Sequence, residues 1–229
     1  MLVAGVDGCR GGWLCLVLDT ANGNMEIRYP TKFAELFEQK PKPKIIAIDI
    51  PIGLWEKGDR PCDKEARKFL GWPRRCSVFP PPPRSALNGK NDLEAKELSK
   101  RACGKRLSKQ TLAIRGKISE VDQAMTARVQ KWVQEVHPEV SFCALNQGHA
   151  LKYSKKTKEG VEERLDLLRP WLPGLNRLLG TIDRRNADVD DLLDRAAAAW
   201  TARRIASKQE SRLTSEERDR KRLRMEIVY

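Results

Sequence analysis

Four aspartates and one glutamate occupy positions where a carboxylate could do chemistry. Asp7 closes the apolar run LVAGVDG (2–8), and Asp49 lies late in KIIAIDIPIG (44–53), which is otherwise apolar on both faces. An unpaired buried carboxylate is costly, so two of them in strand-like runs call for a cation or a hydrogen-bond cage. At the carboxyl ends of adjacent strands in an α/β sheet, where ligands bind, such a pair attracts a divalent metal through hard oxygen ligands. Each residue also has a plainer reading: Asp7 caps the turn before Gly8, and Asp49 bonds the backbone near Pro51.

A second acidic group opens the segment DVDDLLDRAAAAW (188–200). Asp191 and Asp194 are spaced i, i+3 on a helix and share a face, and Asp190 and Asp194 at i, i+4 share one too. The small residues that follow let this helix approach a sheet closely. The alternative is a solvated first turn in which acids favour the helix dipole. In VQEVHPEVSF (133–142), Glu135 alternates at strand spacing and offers a further ligand, while His137 is placed to position a water or a substrate group. Lys155 and Lys156 in YSKKT (153–157) stand where a phosphate would be met, or else merely solvate a loop.

The elements needed to position these groups follow from periodicity. Runs 2–8, 12–19 and 25–30, separated by glycine-rich or Asn-Gly turns, predict an antiparallel meander. TKFAELFEQK (31–40) has helical spacing with Thr31 as N-cap, and 44–53 reads as a central strand covered on both faces. Helices are predicted at 62–71, 92–103, 117–130, 162–172 and 188–207, with a strand over 131–136 and an edge strand in RLRMEIVY (222–229). Residues 54–130 contain few large apolar side chains and are expected as an insertion within one domain spanning 1–229. Four consecutive prolines (80–83) hold part of it extended.

The chain has 229 residues, 40% of them hydrophobic, enough for a sizeable core, and its mean hydropathy is −0.58. It has no apolar run of about 18 residues, so no transmembrane helix is expected. The first residues have no basic stretch and carry Asp7, which argues against a signal peptide and for a cytoplasmic protein. The six cysteines form no C-x-x-C pair and read as reduced thiols. Two histidines, His137 and His149, are too few for a histidine-rich metal site.

Forty-four Lys and Arg against 31 Asp and Glu give a net charge of +13. Residues 57–117 alone carry seventeen basic and six acidic residues, a polyanion-binding composition. Within this stretch Arg74, Arg75 and Arg84 lie beside Trp72 and Phe79, a mixture suited to backbone contacts and base stacking.

Taken together, VAGVDGCRGGW (3–13), IDIPIGL (48–54), SVFPPPPR (77–84), SKQTLAIRGKISEVDQ (108–123), EVHPEVSF (135–142), SKKT (154–157), DDLLDRAAAAWTARRIA (190–206) and RMEIVY resemble domain-of-unknown-function family 429, predicted ribonuclease H-like nucleases. The resemblance implies a ribonuclease H-like α/β fold: a five-stranded mixed sheet, its first three strands antiparallel, flanked by helices. Within that superfamily the chain is similar to Holliday-junction resolvases, with Asp7 matching the acid that ends strand one, Asp49 the acid on strand four, and Asp191 and Asp194 those of the last helix. Asp49 stands where the resolvases usually carry glutamate. The expectation that follows is phosphodiester hydrolysis by two Mg²⁺ (or Mn²⁺) ions held by Asp7, Asp49, Asp191 and Asp194. Glu135 assists, and Arg10, Arg74, Arg75, Arg84, His137, Lys155 and Lys156 face a nucleic-acid substrate. Resolvase-like enzymes often work as dimers, so the resemblance makes a homodimer a candidate assembly, and the lack of an apolar span argues against a membrane partner. Two other functions fit the same sequence: a non-catalytic module that binds nucleic acid or protein, and an actin-like ATP site in which GVDGCRGG cradles phosphate.

Overall fold

The structure, a computed structural model, describes residues 1–181 and 188–229. Its centre is a five-stranded mixed sheet. Strands β1 (Leu2–Cys9), β2 (Gly12–Asp19) and β3 (Met25–Arg28) form the expected antiparallel meander, joined by tight turns. β4 (Ile45–Ile48) and β5 (Val133–Glu135) continue the sheet in parallel with β1, giving the order β3-β2-β1-β4-β5. A separate hairpin of β6 (Arg212–Arg218) and β7 (Arg224–Val228) touches the main sheet through a parallel bridge between Val136 and Val228.

Eight helices are described: α1 (Glu35–Glu38), α2 (Pro61–Leu70), α3 (Asp92–Cys103), α4 (Lys109–Ala124), α5 (Pro138–Leu145), α6 (Lys158–Leu168), α7 (Leu175–Leu179) and α8 (Val189–Ala206). Alternation along the strands divides them into two layers. Val3, Leu14, Leu16, Leu18 and Ala47 face α8, with α5, α6 and α7 around it. Ala4, Val6, Trp13, Cys15, Ile46 and Ile48 face the other way, onto Phe33, Leu36, the α4 residues Ile118 and Val121, and Met125 just after it. Thus α4, within the stretch expected as an insertion, supplies part of the sheet's second apolar layer. α8 is nearly all buried and its Ala196–Ala199 run brings it against β1. A Cβ on Gly5 would lie 2.0 Å from the Arg195 carbonyl oxygen and 2.5 Å from the Ala199 nitrogen, so this crossing requires glycine.

Several boundaries differ from the sequence reading for local reasons. The helix predicted over 31–40 shrinks to the single turn α1. α4 begins eight residues before the predicted start, because Ser108 accepts from the Thr111 N–H as N-cap. The strand read through residue 53 ends at Ile48, after which Pro51 and the left-handed Gly53 (φ 80°) turn the chain. Helices α5 and α7 and strand β6 were not expected. The six cysteines are free, and no helix among the described residues is long and apolar enough to cross a membrane.

Candidate active site

The parallel register sets the site. Val6 lies opposite Ile48, and the Asp49 N–H donates to the Val6 carbonyl (2.9 Å), so Asp7 and Asp49 emerge side by side at the carboxyl ends of β1 and β4. Both continue the face covered by α8, which carries Asp194 over them. Asp7, Asp49 and Asp194 line one cavity of about 420 Å³ together with Glu135, His137, Lys155 and Arg74. Phe79, Pro80 and Pro81 form another part of its wall.

Cations already answer part of this negative charge. Arg195, the residue after Asp194, is buried and places Nη2 3.0 Å from Asp7 Oδ2, while the same nitrogen donates to the Gly8 carbonyl. Asp7 Oδ1 accepts from the Gly8 N–H (2.6 Å), so the turn-capping alternative is realised as well. Lys155 Nζ lies 2.6 Å from Asp194 Oδ2 and 3.6 Å from Asp190 Oδ2, and Lys156 reaches Asp190 (2.9 Å) and Asp188 (3.7 Å). The sequence reading did not single out Arg195, and its site set did not include Asp190. A basic residue directly after the helix acid was the available signal for Arg195.

The electrostatics show an incompletely balanced cluster. Burial raises the Asp7 carboxyl above its ordinary range against the pull of Arg195. Asp49 is raised well above the carboxylate range, first by burial and then by the neighbouring charges of Asp7 and Asp194. Burial also raises Asp194, with Lys155 opposing. Asp194 is 4% exposed, and its Oδ1 is buried with no hydrogen-bond partner.

Other predicted site residues are committed elsewhere. Asp191 is spent on the helix start: its Oδ2 accepts from the Asp188 N–H (3.0 Å) in a capping box and its Oδ1 lies 3.4 Å from Arg195. These partners hold it below the usual carboxylate range despite burial. Asp190, rather than Asp191, joins Asp194 around Lys155.

Glu135 is held by Arg60, with Nη2 to Oε1 at 2.6 Å and Nη1 to Oε2 at 2.8 Å, and Oε2 also accepts from the Ile52 N–H. Arg60 in turn holds Asp63 (2.6 Å), and all three are buried. This triad forms the floor behind the cavity and ties the β4–α2 connection to β5. His137 caps α5; its Nε2 lies 3.4 Å from the Ser77 carbonyl, its Nδ1 has no partner, and burial favours the neutral ring.

The predicted arginines divide. Arg74 lines the cavity but donates to the carbonyls of Leu151 (2.9 Å) and Lys152 (3.0 Å). Arg84 is taken up by Asp122 (3.0 Å) and Asp219 and lies away from the cavity lining, so it braces β6–β7 against α4. Arg10 and Arg75 are exposed outside the lining, as is Trp72 (79% exposed).

The carboxylates suit a hard divalent ion in donor type, and the partnerless Asp194 oxygen fits one. Among the described residues, however, no three His, Cys, Asp or Glu side chains converge into a ready metal cage, and Arg195 and Lys155 pair with Asp7 and Asp194.

A family model described as "Protein of unknown function (DUF429)" matches residues 5–219, nearly the whole chain. The chain belongs to this family. The match takes in the cavity-lining segments from β1 through α8, while the lining residue Ile227 on β7 lies beyond it. No curated protein and no solved structure matches the chain.

Proposed function

We propose that this DUF429 protein is a metal-dependent hydrolase of phosphodiester bonds in nucleic acid, with the ribonuclease H-like arrangement that its sequence resembles. One observation carries the reading: Asp7, Asp49 and Asp194 arrive from two adjacent parallel strand ends and a close-packed helix at one cavity, where burial and mutual repulsion leave them short of positive charge. The sheet supports it, having five strands with the first three antiparallel, as the resemblance implies.

Asp7, Asp49 and Asp194 are the residues that would hold a divalent ion, which when bound supplies Lewis-acid charge at the phosphate and a more acidic water. The chain's own groups do the rest. A carboxylate at the strand ends accepts the proton of the attacking water, and the Lys155 ammonium donates to a phosphate oxygen. Arg195 holds Asp7 in place. The cavity volume is that of a small-molecule site, and Phe79 and the prolines on its wall suit an unpaired nucleotide better than a duplex.

The test is cleavage of a labelled single-stranded oligonucleotide with Mg²⁺ or Mn²⁺ by the wild type and by Asp7→Asn and Asp49→Asn. Cleavage should need the metal and fall by about 100-fold or more in either variant, the usual scale for losing a group that stabilises the transition state. Equal rates in wild type and variants, or a wild type that binds the strand without cutting it, would overturn the proposal; the second result would leave a binding module.

A further inference from the structure

The expected two-ion site needs two positions free of protein cations, yet Lys155 lies 2.6 Å from Asp194 and Arg195 3.0 Å from Asp7. Lys155 lies on the loop before α6, and that loop is firmly held. The Lys152 and Tyr153 N–H groups donate to Glu163, Thr157 returns a hydrogen bond to the Ser154 carbonyl, and Arg164 donates to the Tyr153 carbonyl. Gly160 packs so closely beneath that a Cβ there would lie 1.8 Å from the Ser154 oxygen. The ammonium is thus delivered from a fixed backbone to Asp194 and Asp190, with its side chain 38% exposed.

Resting on the hydrolase reading, we propose that Lys155 takes the place of one metal ion, so that the site accepts a single divalent cation beside Asp7 and Asp49. Lys155 and Lys156 already answer Asp194 and Asp190, and Arg195 answers Asp7 and Asp191. The partnerless Asp194 Oδ1 leaves that residue one oxygen for the ion while the other keeps the lysine. A fixed ammonium stabilises a phosphate oxygen as a point charge. Unlike an ion, it remains in place when free metal is scarce.

The experiment counts ions. Mn²⁺ is titrated into metal-free wild type, Lys155→Met, Lys156→Met and Asp49→Asn, followed by calorimetry and by electron paramagnetic resonance, which distinguishes an isolated Mn²⁺ from a coupled pair. The expected result is one isolated ion in wild type and in Lys156→Met, a coupled pair in Lys155→Met, and at least tenfold weaker binding in Asp49→Asn. Lys155→Met should also lose thermal stability without metal and recover it in Mn²⁺; if it folds only with Mn²⁺ present, the count is made on protein refolded there. A coupled pair in wild type, or one ion still in Lys155→Met, overturns the lysine's role but leaves the hydrolase reading intact. Absence of binding in wild type, alone and with a short oligonucleotide, overturns both.

Discussion

The close crossing of α8 over β1 gives the sharpest test of how the site is built. Replacing Gly5 by alanine puts a Cβ 2.0 Å from the Arg195 carbonyl oxygen, 2.5 Å from the Ala199 nitrogen and 2.9 Å from the Ala198 Cβ. The first two obstacles are backbone, so no rotamer change relieves them. To reach even a 3.0 Å contact, α8 must recede from β1 by about 1 Å. Overpacking of a core costs about 1–3 kcal/mol, and a clash with main chain belongs at the upper end. For a chain of this size, a loss of about 3 kcal/mol lowers Tm by roughly 6–12 °C. The same shift carries Asp194 and Arg195 away from Asp7, and a misplacement of about 1 Å in a catalytic constellation costs on the order of 100-fold in rate. Calorimetry and urea unfolding of metal-free Gly5→Ala, with Gly116→Ala as control, measure the first effect. Gly116 lies on α4 with open space where its Cβ would go, so that variant should gain roughly 0.5–1 kcal/mol. A Gly5→Ala Tm within about 2 °C of wild type, against the drop expected from that scale, would refute the argument that α8 is seated by this glycine.

Arg60→Ala should cost about 3–5 kcal/mol in urea unfolding, since it leaves Asp63 and Glu135 buried without their cation; a loss below about 1 kcal/mol, well short of that range, would mean the triad is not a stabilising strut. The raised carboxyls of Asp7, Asp49 and Asp194 predict a pH dependence in the metal-free protein. The folded state holds protons that the unfolded chain releases near pH 4, so their contribution is full below about pH 4 and is lost as pH climbs through the raised values. Asp49→Asn should therefore be more stable than wild type at pH 8 in chelator, with the difference shrinking toward pH 5. A variant less stable than wild type at pH 8 would show that Asp49 is held by partners as an ion.

Much of this architecture was legible because it follows from local pattern. The β1–β3 meander came from apolar runs punctuated by glycine and Asn-Gly turns, and α3 from the helical run 92–103, whose bounds the structure keeps. Asp7 and Asp49 stood out because acids are rare in apolar strands. Partners distant in sequence were not legible. The strand alternation that marked Glu135 carries no sign of Arg60, which meets it only through the β4–α2 turn. Asp191 and Asp190 have equal claims by helical spacing, and only the capping box on Asp188 separates them. Charge counting in 57–117 could not show that Arg74 and Arg84 satisfy the protein's own carbonyls and carboxylates. Strand β6, RLTSEER, escaped notice because its charged side chains hide a strand defined only by pairing with β7.

The bridge from Val136 to Val228 has a consequence for biosynthesis. β5 is the edge strand of the main sheet, and the hairpin meets this margin through the bridge at Val136. On a ribosome the sheet can assemble as far as β5 long before β7 emerges, and through that interval the margin of the sheet shows open hydrogen-bonding groups to other nascent chains. Such an edge is a template for aggregation. The hairpin therefore acts as a late-arriving guard, and yield of native protein in cells should depend on how quickly translation passes from α8 to β7.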